Sequence, residues 1–317
     1  MNMNHRYQPR SVAKACLAAL AVLIAAEMTV RLFFSQDALL YRDSENPILR
    51  FELLPGSAGQ KVGVTVSISE DGMREVALAA PKPENERRVV VVGGQETFGI
   101  GVEEPQLFVR LAGSGLDADG RVRTVNLSMY SYNLVQKVEL ACERLSRLQP
   151  EIVVLQSSDN DGGDLPPPAM NAPRLKNWVR EHSALARRAA EVRYLWPSPP
   201  SAGVEVVDIK AQLRRFHDCV KAAGAVGAVM MISRPSGDGT VSRTARGLKE
   251  SALELGIPYI DAGAAIRHLP AGERTLKAGS PFLSPAAHRA TAAELQRLIK
   301  PLLRRKKPLS RPTRPAA

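Results

Sequence analysis

A glycine-rich turn follows the first strongly apolar run of the chain and is the first place to look for chemistry. The run Val89–Val92 ends in Gly93-Gly94, and Gly99 and Gly101 follow shortly afterwards. Such turns cradle phosphate groups because their backbone amides approach a ligand closely. The spacing here matches neither GxGxxG nor GxxxxGK[ST], so the turn does not predict a nucleotide site.

An acidic run further along the chain has the oxygen-rich composition of a metal loop. It reads DNDGGD and contains Asp159, Asp161 and Asp164. A calcium loop of this type requires a bidentate acid near its end, and that position is Pro168. We therefore predict neither a metal site nor another cofactor.

Nucleophilic catalysis requires a hydroxyl or thiol next to a base. Ser128 and Ser131 offer hydroxyls, but no histidine is near them in the sequence. Glu96 could activate water, although a single carboxylate is a weak catalyst. We interpret His288 as a capping or packing residue of the last helix. The other candidate bases lie away from these segments and are His182, His217 and His268.

Alternating strand and helix patterns surround these residues. The chain of 317 residues is 44% hydrophobic and 24% charged, which is typical of a globular protein. Strands are predicted at Val89–Val92, Arg121–Leu127, Ile152–Leu155, Ala225–Ile232 and Pro258–Ile260. Helices are predicted at Leu107–Leu116, Leu134–Leu148, Ala172–Val192, Val207–Ala223, Val241–Leu255 and Pro285–Leu303. This alternation predicts an α/β fold with a five-stranded parallel sheet between two helical layers, and a site at the carboxyl ends of the strands.

The amino-terminal segment has the composition of a membrane span. Ala15–Ala26 is continuously apolar, and a helix over residues 12–34 is long enough to cross a bilayer. Glu27 and Arg31 are four residues apart and can pair on one helix face. Basic residues precede the span and acidic residues follow it, so we expect the amino terminus in the cytoplasm and the body outside. A cleaved signal peptide is the alternative, in which case the body is secreted or periplasmic.

The formal net charge of +11 does not indicate a nucleic-acid-binding face, because the excess lies at the two ends of the chain. Residues 300–317 contain seven basic and no acidic side chains. We expect residues 304–317 to form a basic disordered tail that attracts anionic surfaces. The remaining divisions are a cytoplasmic tip and anchor at 1–35, a β-rich lead-in and linker at 36–87, and the main domain at 88–303. Within the lead-in, Val62–Ile68 alternates in the period of a strand, and Asp71-Gly72 predicts a turn.

The cysteines are too few for a disulfide framework. Cys16 lies in the membrane segment, whereas Cys142 and Cys219 fall in predicted helices. In an oxidising compartment these two can pair, and two buried free thiols are the alternative.

Four sequence blocks occur in an order that resembles the SGNH (GDSL-type) hydrolase family, especially its exported, membrane-anchored members. The blocks are VVVVGGQETFGIGV (89–102), NLSMYSYN (126–133), PEIVVLQSSDND (150–161) and GSPFLSPAAH (279–288). The resemblance covers about residues 45–303 and implies a flavodoxin-like three-layer sandwich.

The residues that the family uses for catalysis are replaced in this chain. The position of the nucleophilic serine is Gln95, that of the histidine is Phe282, and that of its orienting aspartate is Gly279. Gly94 stands where the family has an aspartate, and Ser131 where it has the oxyanion-hole glycine. The oxyanion-hole asparagine is retained as Asn160, and the aspartate that follows it as Asp161.

These replacements predict a protein of the cell envelope that does not hydrolyse esters. Gln95 is a very poor nucleophile, Phe282 cannot accept a proton, and Gly279 has no side chain. The resemblance implies a role in modifying or assembling surface polysaccharide, and the expected ligand is a glycan, an acyl group or a protein partner. The residues expected to line its binding pocket are Gly94, Gln95, Glu96, Ser131, Asn160, Asp161 and Phe282. An active esterase or acyltransferase with a rewired site is the alternative, and a structural subunit of an envelope complex is a third.

Overall fold

The structure is a computed structural model. It describes residues 9–34, 40–74, 78, 81–116, 121–162, 183–186, 207–233, 241–277 and 279–305. Most of the helix predicted at Ala172–Val192 lies outside these residues.

The central sheet has five parallel strands, which are β5 (Arg87–Gly93), β6 (Val122–Ser128), β7 (Ile152–Ser158), β8 (Val226–Ile232) and β9 (Tyr259–Asp261). Their order in the sheet is β6-β5-β7-β8-β9. When these five strands are numbered 1 to 5 along the chain, starting from β5, their order across the sheet is 2-1-3-4-5. This is the flavodoxin-like order. The fold class predicted from the sequence is therefore confirmed.

Helices cover both faces of this sheet. The longer ones are α3 (Phe108–Ser114), α4 (Leu134–Leu148), α5 (Ile209–Ala222), α6 (Arg243–Glu254) and α8 (Pro285–Arg305). Two short helices are α2 (Gln95–Phe98) and α7 (Gly263–Arg267). Val90 and Val92 pack with residues of α4, α5 and α6, whereas Val89 and Val91 pack with α3, α7 and α8. This alternation explains why the strand is apolar on both faces.

The lead-in forms two antiparallel hairpins that join the main core. The first pairs β1 (Tyr41–Asp43) with β2 (Phe51–Leu53), and the second pairs β3 (Ala58–Lys61) with β4 (Val64–Ser67). The single strand predicted over Val62–Ile68 is wrong at its start, because Val62 and Gly63 both have positive φ and form the turn. Buried lead-in residues such as Leu49 and Val66 belong to the same cluster as Val90.

A disulfide joins Cys142 on α4 to Cys219 on α5. Of the two alternatives for these cysteines, the structure has the paired one. The bridge ties together two helices that pack on the same face of the sheet.

The amino-terminal helix α1 (Pro9–Phe34) includes one apolar stretch, Ala13–Phe33, that is long enough to cross a membrane. Except for Val30, the large apolar side chains of this stretch are exposed, and Phe33 has 77% of its surface accessible. Glu27 and Arg31 form the predicted ion pair at 2.8 Å. At the other end of the chain, α8 continues to Arg305, two residues beyond the boundary placed at Leu303.

Candidate functional site

Three neighbouring strands bring the first three sequence blocks to one edge of the sheet. Strand β5 lies between β6 and β7, and all three run in the same direction. The carboxyl end of β5 leads to Gly94, that of β6 leads to Ser131, and that of β7 leads to Asn160. In a sheet of this order, β5 and β7 flank the topological switch point, where ligands bind in related folds.

The first loop is shaped by a buried hydrogen-bond network beneath it. A Cβ atom on Gly93 would lie 1.9 Å from the Thr97 hydroxyl oxygen, so only glycine fits there. The Gln156 Oε1 atom accepts from the Gly94 backbone amide at 3.1 Å and from the Thr97 hydroxyl at 2.8 Å. The Asn126 side chain donates to the Thr97 carbonyl at 2.8 Å. Amide and hydroxyl groups thus hold the loop that begins α2.

The loop presents Gln95, the residue that the sequence resemblance predicts at the position of the nucleophile. Gln95 is the first residue of α2 and is partly exposed, whereas the next residue, Glu96, is buried. The Gln95 side-chain nitrogen donates to Glu96 Oε1 at 3.3 Å. A carboxamide cannot supply a nucleophilic oxygen for acyl transfer.

A buried arginine from the lead-in clamps the far end of this loop. The Arg74 guanidinium donates to the carbonyl oxygens of Gly99 and Val102, each at 2.6 Å, and also to that of Phe98. Its centre lies 5.1 Å from the Phe98 ring, in the geometry of a cation–π contact. Burial lowers the pKa of Arg74 to about 10, so the side chain stays charged at neutral pH. The lead-in therefore supports the first loop of the site.

His288 has a structural role, in agreement with its interpretation as a capping or packing residue. Its Nδ1 atom accepts the Phe108 backbone amide at 3.1 Å, at the first residue of α3, and its ring stacks on the Phe108 ring. Burial, with a smaller contribution from the charge of Arg74, lowers the pKa of His288 to about 3. At neutral pH the imidazole is therefore uncharged, and its acceptor nitrogen is already engaged.

A buried ion pair lies under the loop, beside Gly94. The Nζ atom of Lys137, on α4, is 2.5 Å from Asp161 Oδ2, and the two side chains are 0% and 3% exposed. The Asp161 carboxylate also accepts from the hydroxyls of Ser157 and Ser158. A Cβ atom on Gly94 would lie 3.0 Å from Lys137 Nζ. The lysine amine therefore lies beside Gly94, the position predicted to correspond to an aspartate of the resembled family.

Ser131 and Asn160 are both exposed in their loops. Ser131 has φ of 69°, a left-handed conformation that glycine adopts without strain. The backbone thus keeps the conformation that suits glycine, although the residue is serine. Asn160 lies in the 3₁₀ turn Asp159–Gly162 that follows β7.

The last block forms a turn before α8. Gly279 is exposed and has φ of 74°, and Phe282 is half-buried. The Phe282 carbonyl accepts from the Leu276 amide at 3.0 Å, and its amide donates to Ser280 Oγ at 3.2 Å. Helix α8 then begins at Pro285, where Ser284 Oγ accepts the Ala287 amide at 3.1 Å. The structure thus gives Phe282 a defined backbone position and a half-buried aromatic side chain.

The described acidic residues of the run DNDGGD have partners within the protein. Asp161 binds Lys137, and Asp159 Oδ1 accepts from Ser242 Oγ at 2.6 Å. Asp164 lies outside the described residues. Within the described ranges, no group of three His, Cys, Asp or Glu side chains is arranged to hold a metal ion.

Sequence reasoning did not identify Lys137 or Arg74. Lys137 follows Leu134 by three residues and precedes Val138, so it lies on the apolar face of α4. A single basic residue on such a face is the signal that could have revealed it. Arg74 follows the Asp71-Gly72 turn, and no local pattern distinguishes it from a surface residue.

No protein-family model and no curated protein matches the chain. Among solved structures, it is similar to TesA, with 16% identity and a TM-score of 0.47 over 68% of this chain and 99% of that one. A lipase/acylhydrolase from Enterococcus faecalis has 15% identity and a TM-score of 0.46, over 68% and 96% of the two chains. A putative lipolytic protein of the G-D-S-L family from Desulfitobacterium hafniense has 11% identity and a TM-score of 0.41, over 67% and 99%.

Proposed function

We propose that this protein is a membrane-anchored, SGNH-like envelope protein that binds its ligand without hydrolysing it. The observation that carries the proposal is the joint replacement of nucleophile, base and orienting acid by Gln95, Phe282 and Gly279. The nearby His288 does not supply the missing base, because it is buried and its Nδ1 atom accepts the Phe108 amide. Glu96 is the remaining carboxylate next to Gln95; it is buried, it accepts from the Gln95 side chain, and a single carboxylate is a weak catalyst.

The ligand that best fits the remaining groups is a cell-surface polysaccharide. Gln95, Ser131 and Asn160 present neutral amide and hydroxyl groups, at least partly exposed, at one edge of the sheet. Such groups exchange hydrogen bonds with sugar hydroxyls without the desolvation cost of a charge. Phe282 supplies a partly exposed aromatic ring in the last block. An acyl group or a protein partner is the competing ligand.

The location that we propose is the inner membrane of a bacterium, with a single span and the body in the periplasm. The exposed apolar surface of α1 and the basic residues that precede it support this orientation. The disulfide between Cys142 and Cys219 supports an oxidising compartment for the body. The basic residues of 304–317 would then face anionic lipid or acidic glycan.

Binding to polysaccharide isolated from the cell's own envelope tests the function. Titration of the full-length protein in detergent should show binding that Phe282→Ala and Asn160→Ala each weaken by about tenfold, or about 1.4 kcal/mol. The control is Leu253→Ala, which removes a side chain exposed on α6. Equal affinities in all variants would contradict a glycan site at this edge, and binding only to acyl chains or to one envelope protein would favour the competing ligands.

The topology is tested separately. A reporter enzyme that is active only in the periplasm, fused after residue 317, should be active, and the protein should stay with membranes during a carbonate wash. Release into the soluble fraction with a new amino terminus near Glu27 would show a cleaved signal instead.

A further inference from the structure

Glu27 connects the apolar helix α1 to a distant part of the body. Its Oε1 atom accepts the Ala184 amide at 2.8 Å, and its Oε2 atom accepts the Ser183 hydroxyl at 2.8 Å and the Leu185 amide at 3.0 Å. The Arg31 Nε atom donates to the same carboxylate at 2.8 Å. These contacts bring residues 183–186 directly against α1.

The position of Glu27 along the apolar stretch determines how deep in the membrane these contacts lie. The middle of Ala13–Phe33 is residue 23, so Glu27 lies four residues beyond it. A helix rises about 1.5 Å per residue, which places Glu27 about 6 Å from the middle of the span. Half of a hydrocarbon core is about 15 Å thick. If α1 spans the membrane, as proposed above, the carboxylate therefore lies within the outer half of the bilayer.

A charged side chain at this depth is costly unless it is neutralised and hydrogen-bonded. Arg31 supplies the opposite charge, while Ser183, Ala184 and Leu185 supply three hydrogen bonds. Within Ala13–Phe33, only Ala26, Glu27 and Val30 are partly covered, and they lie on one helix face. This is the face that meets residues 183–186, and the rest of the apolar surface is left for lipid.

We propose that residues 183–186 enter the outer leaflet beside α1 and contact phospholipid acyl chains, held there by Glu27. Ala184, Leu185 and Ala186 are apolar, and Leu185 and Ala186 keep part of their surface exposed. Their amides are satisfied, since Glu27 accepts two of them and Ser183 Oγ accepts that of Ala186 at 3.1 Å. These partners remove the cost of placing three unpaired N–H groups in hydrocarbon. The body is thus fixed to the membrane surface at a second point besides the linker after α1.

Tryptophan fluorescence in vesicles tests this docking. Trp178 and Trp196 are the two tryptophans of the chain. The double variant Trp178→Phe, Trp196→Phe therefore has no tryptophan fluorescence of its own. Leu185→Trp is then introduced into the full-length protein, which is reconstituted in phosphatidylcholine with brominated acyl chains. We expect quenching at least about twofold stronger than for Leu253→Trp, an exposed position on α6. If Leu185→Trp disturbs folding, judged by near-ultraviolet circular dichroism, Ala186→Trp replaces it.

Glu27→Leu provides the second arm, because it removes the acceptor while keeping α1 apolar. It should reduce the quenching at position 185 by about half or more, whereas Met28→Leu on the exposed side of α1 should leave it unchanged. Equal quenching at positions 185 and 253, or quenching that Glu27→Leu does not alter, would overturn the proposal. A carbonate wash of the same samples distinguishes this failure from failure of the anchor, because an unanchored protein would be released.

Discussion

The Lys137 ammonium and the Asp161 carboxylate form a buried ion pair, 2.5 Å apart, beneath the loop that carries Gln95. Replacing one partner leaves the other charge buried without compensation. We expect Lys137→Met or Asp161→Asn to lower the free energy of unfolding by about 3–5 kcal/mol, and the double variant to lose less than the sum of the two. Urea unfolding of the purified protein measures these values.

The exposed pair of Lys210 with Glu254 is the matched control. Lys210→Met should cost at most about 1 kcal/mol, because exposed ion pairs contribute little. Equal losses for Lys137→Met and Lys210→Met would show that the buried pair is not a structural element of the site.

The backbone of Ser131 is strained, because its left-handed conformation suits glycine better than serine. Ser131→Gly should raise the free energy of unfolding by up to about 1 kcal/mol, because φ of 69° is disfavoured for residues with a Cβ atom. Ser131→Ala removes the hydroxyl but keeps the Cβ atom, so it should give no increase. A gain with alanine as large as with glycine would mean that the hydroxyl, and not the backbone, is unfavourable.

His288 should make the protein sensitive to acid. Its folded-state pKa of about 3 lies below the ordinary value of 6.5, so the unfolded chain binds a proton that the folded chain does not. The stability contributed by the neutral ring is therefore complete above pH 6.5 and is lost as the pH falls toward 3, by up to about 1.4 kcal/mol per pH unit. His288→Asn keeps an acceptor for the Phe108 amide without titrating.

The test is the difference in unfolding free energy between wild type and His288→Asn across this pH range. Other groups titrate equally in both proteins and cancel. A difference that stays constant from pH 7 to pH 4 would contradict a buried neutral histidine.

The disulfide between Cys142 and Cys219 closes a long loop, with a sequence separation of 77. Cys142→Ala with Cys219→Ala should therefore lower the free energy of unfolding by about 4 kcal/mol. Cys16→Ala is the control, since this free cysteine is exposed on α1 and should have no effect. No change in the double variant would show that the two thiols are not paired in the isolated protein.

The sheet could be predicted from the sequence because its strands carry continuous apolar runs such as Val89–Val92 and Ile152–Leu155. These runs are buried on both faces, and the helices between them have clear periodicity. The hairpin turn at Val62 was missed because a β-branched residue rarely has positive φ. Its conformation depends on the neighbouring Gly63 and on the pairing of the two strands.

The sequence predicted which residues belong to the candidate site, but not the contacts that hold them in place. Gln95, Asn160 and Phe282 could be placed by the order of the four blocks, because short motifs determine their register. The contacts of Lys137 with Asp161 and of Arg74 with Gly99 join segments that are distant in the chain. Such tertiary contacts have no local sequence pattern, so they required the structure.

Restoring the catalytic groups of the family tests the proposed absence of catalysis from the other direction. Gln95→Ser alone should stay inactive, because an unassisted serine is almost fully protonated at neutral pH. The triple variant Gln95→Ser, Gly279→Asp, Phe282→His restores the three groups, although aspartate at Gly279 must adopt φ of 74°. Gly94 and Ser131 remain different from the family, so we expect at most slight activity.

Hydrolysis of p-nitrophenyl acetate by the wild-type protein tests the central claim most directly. Because Gln95, Phe282 and Gly279 cannot act as nucleophile, base and orienting acid, the rate should equal that of a buffer blank and should not change in Glu96→Gln or Ser131→Ala. Turnover clearly above the blank, abolished by either substitution, would contradict the account and identify an esterase with a rewired site.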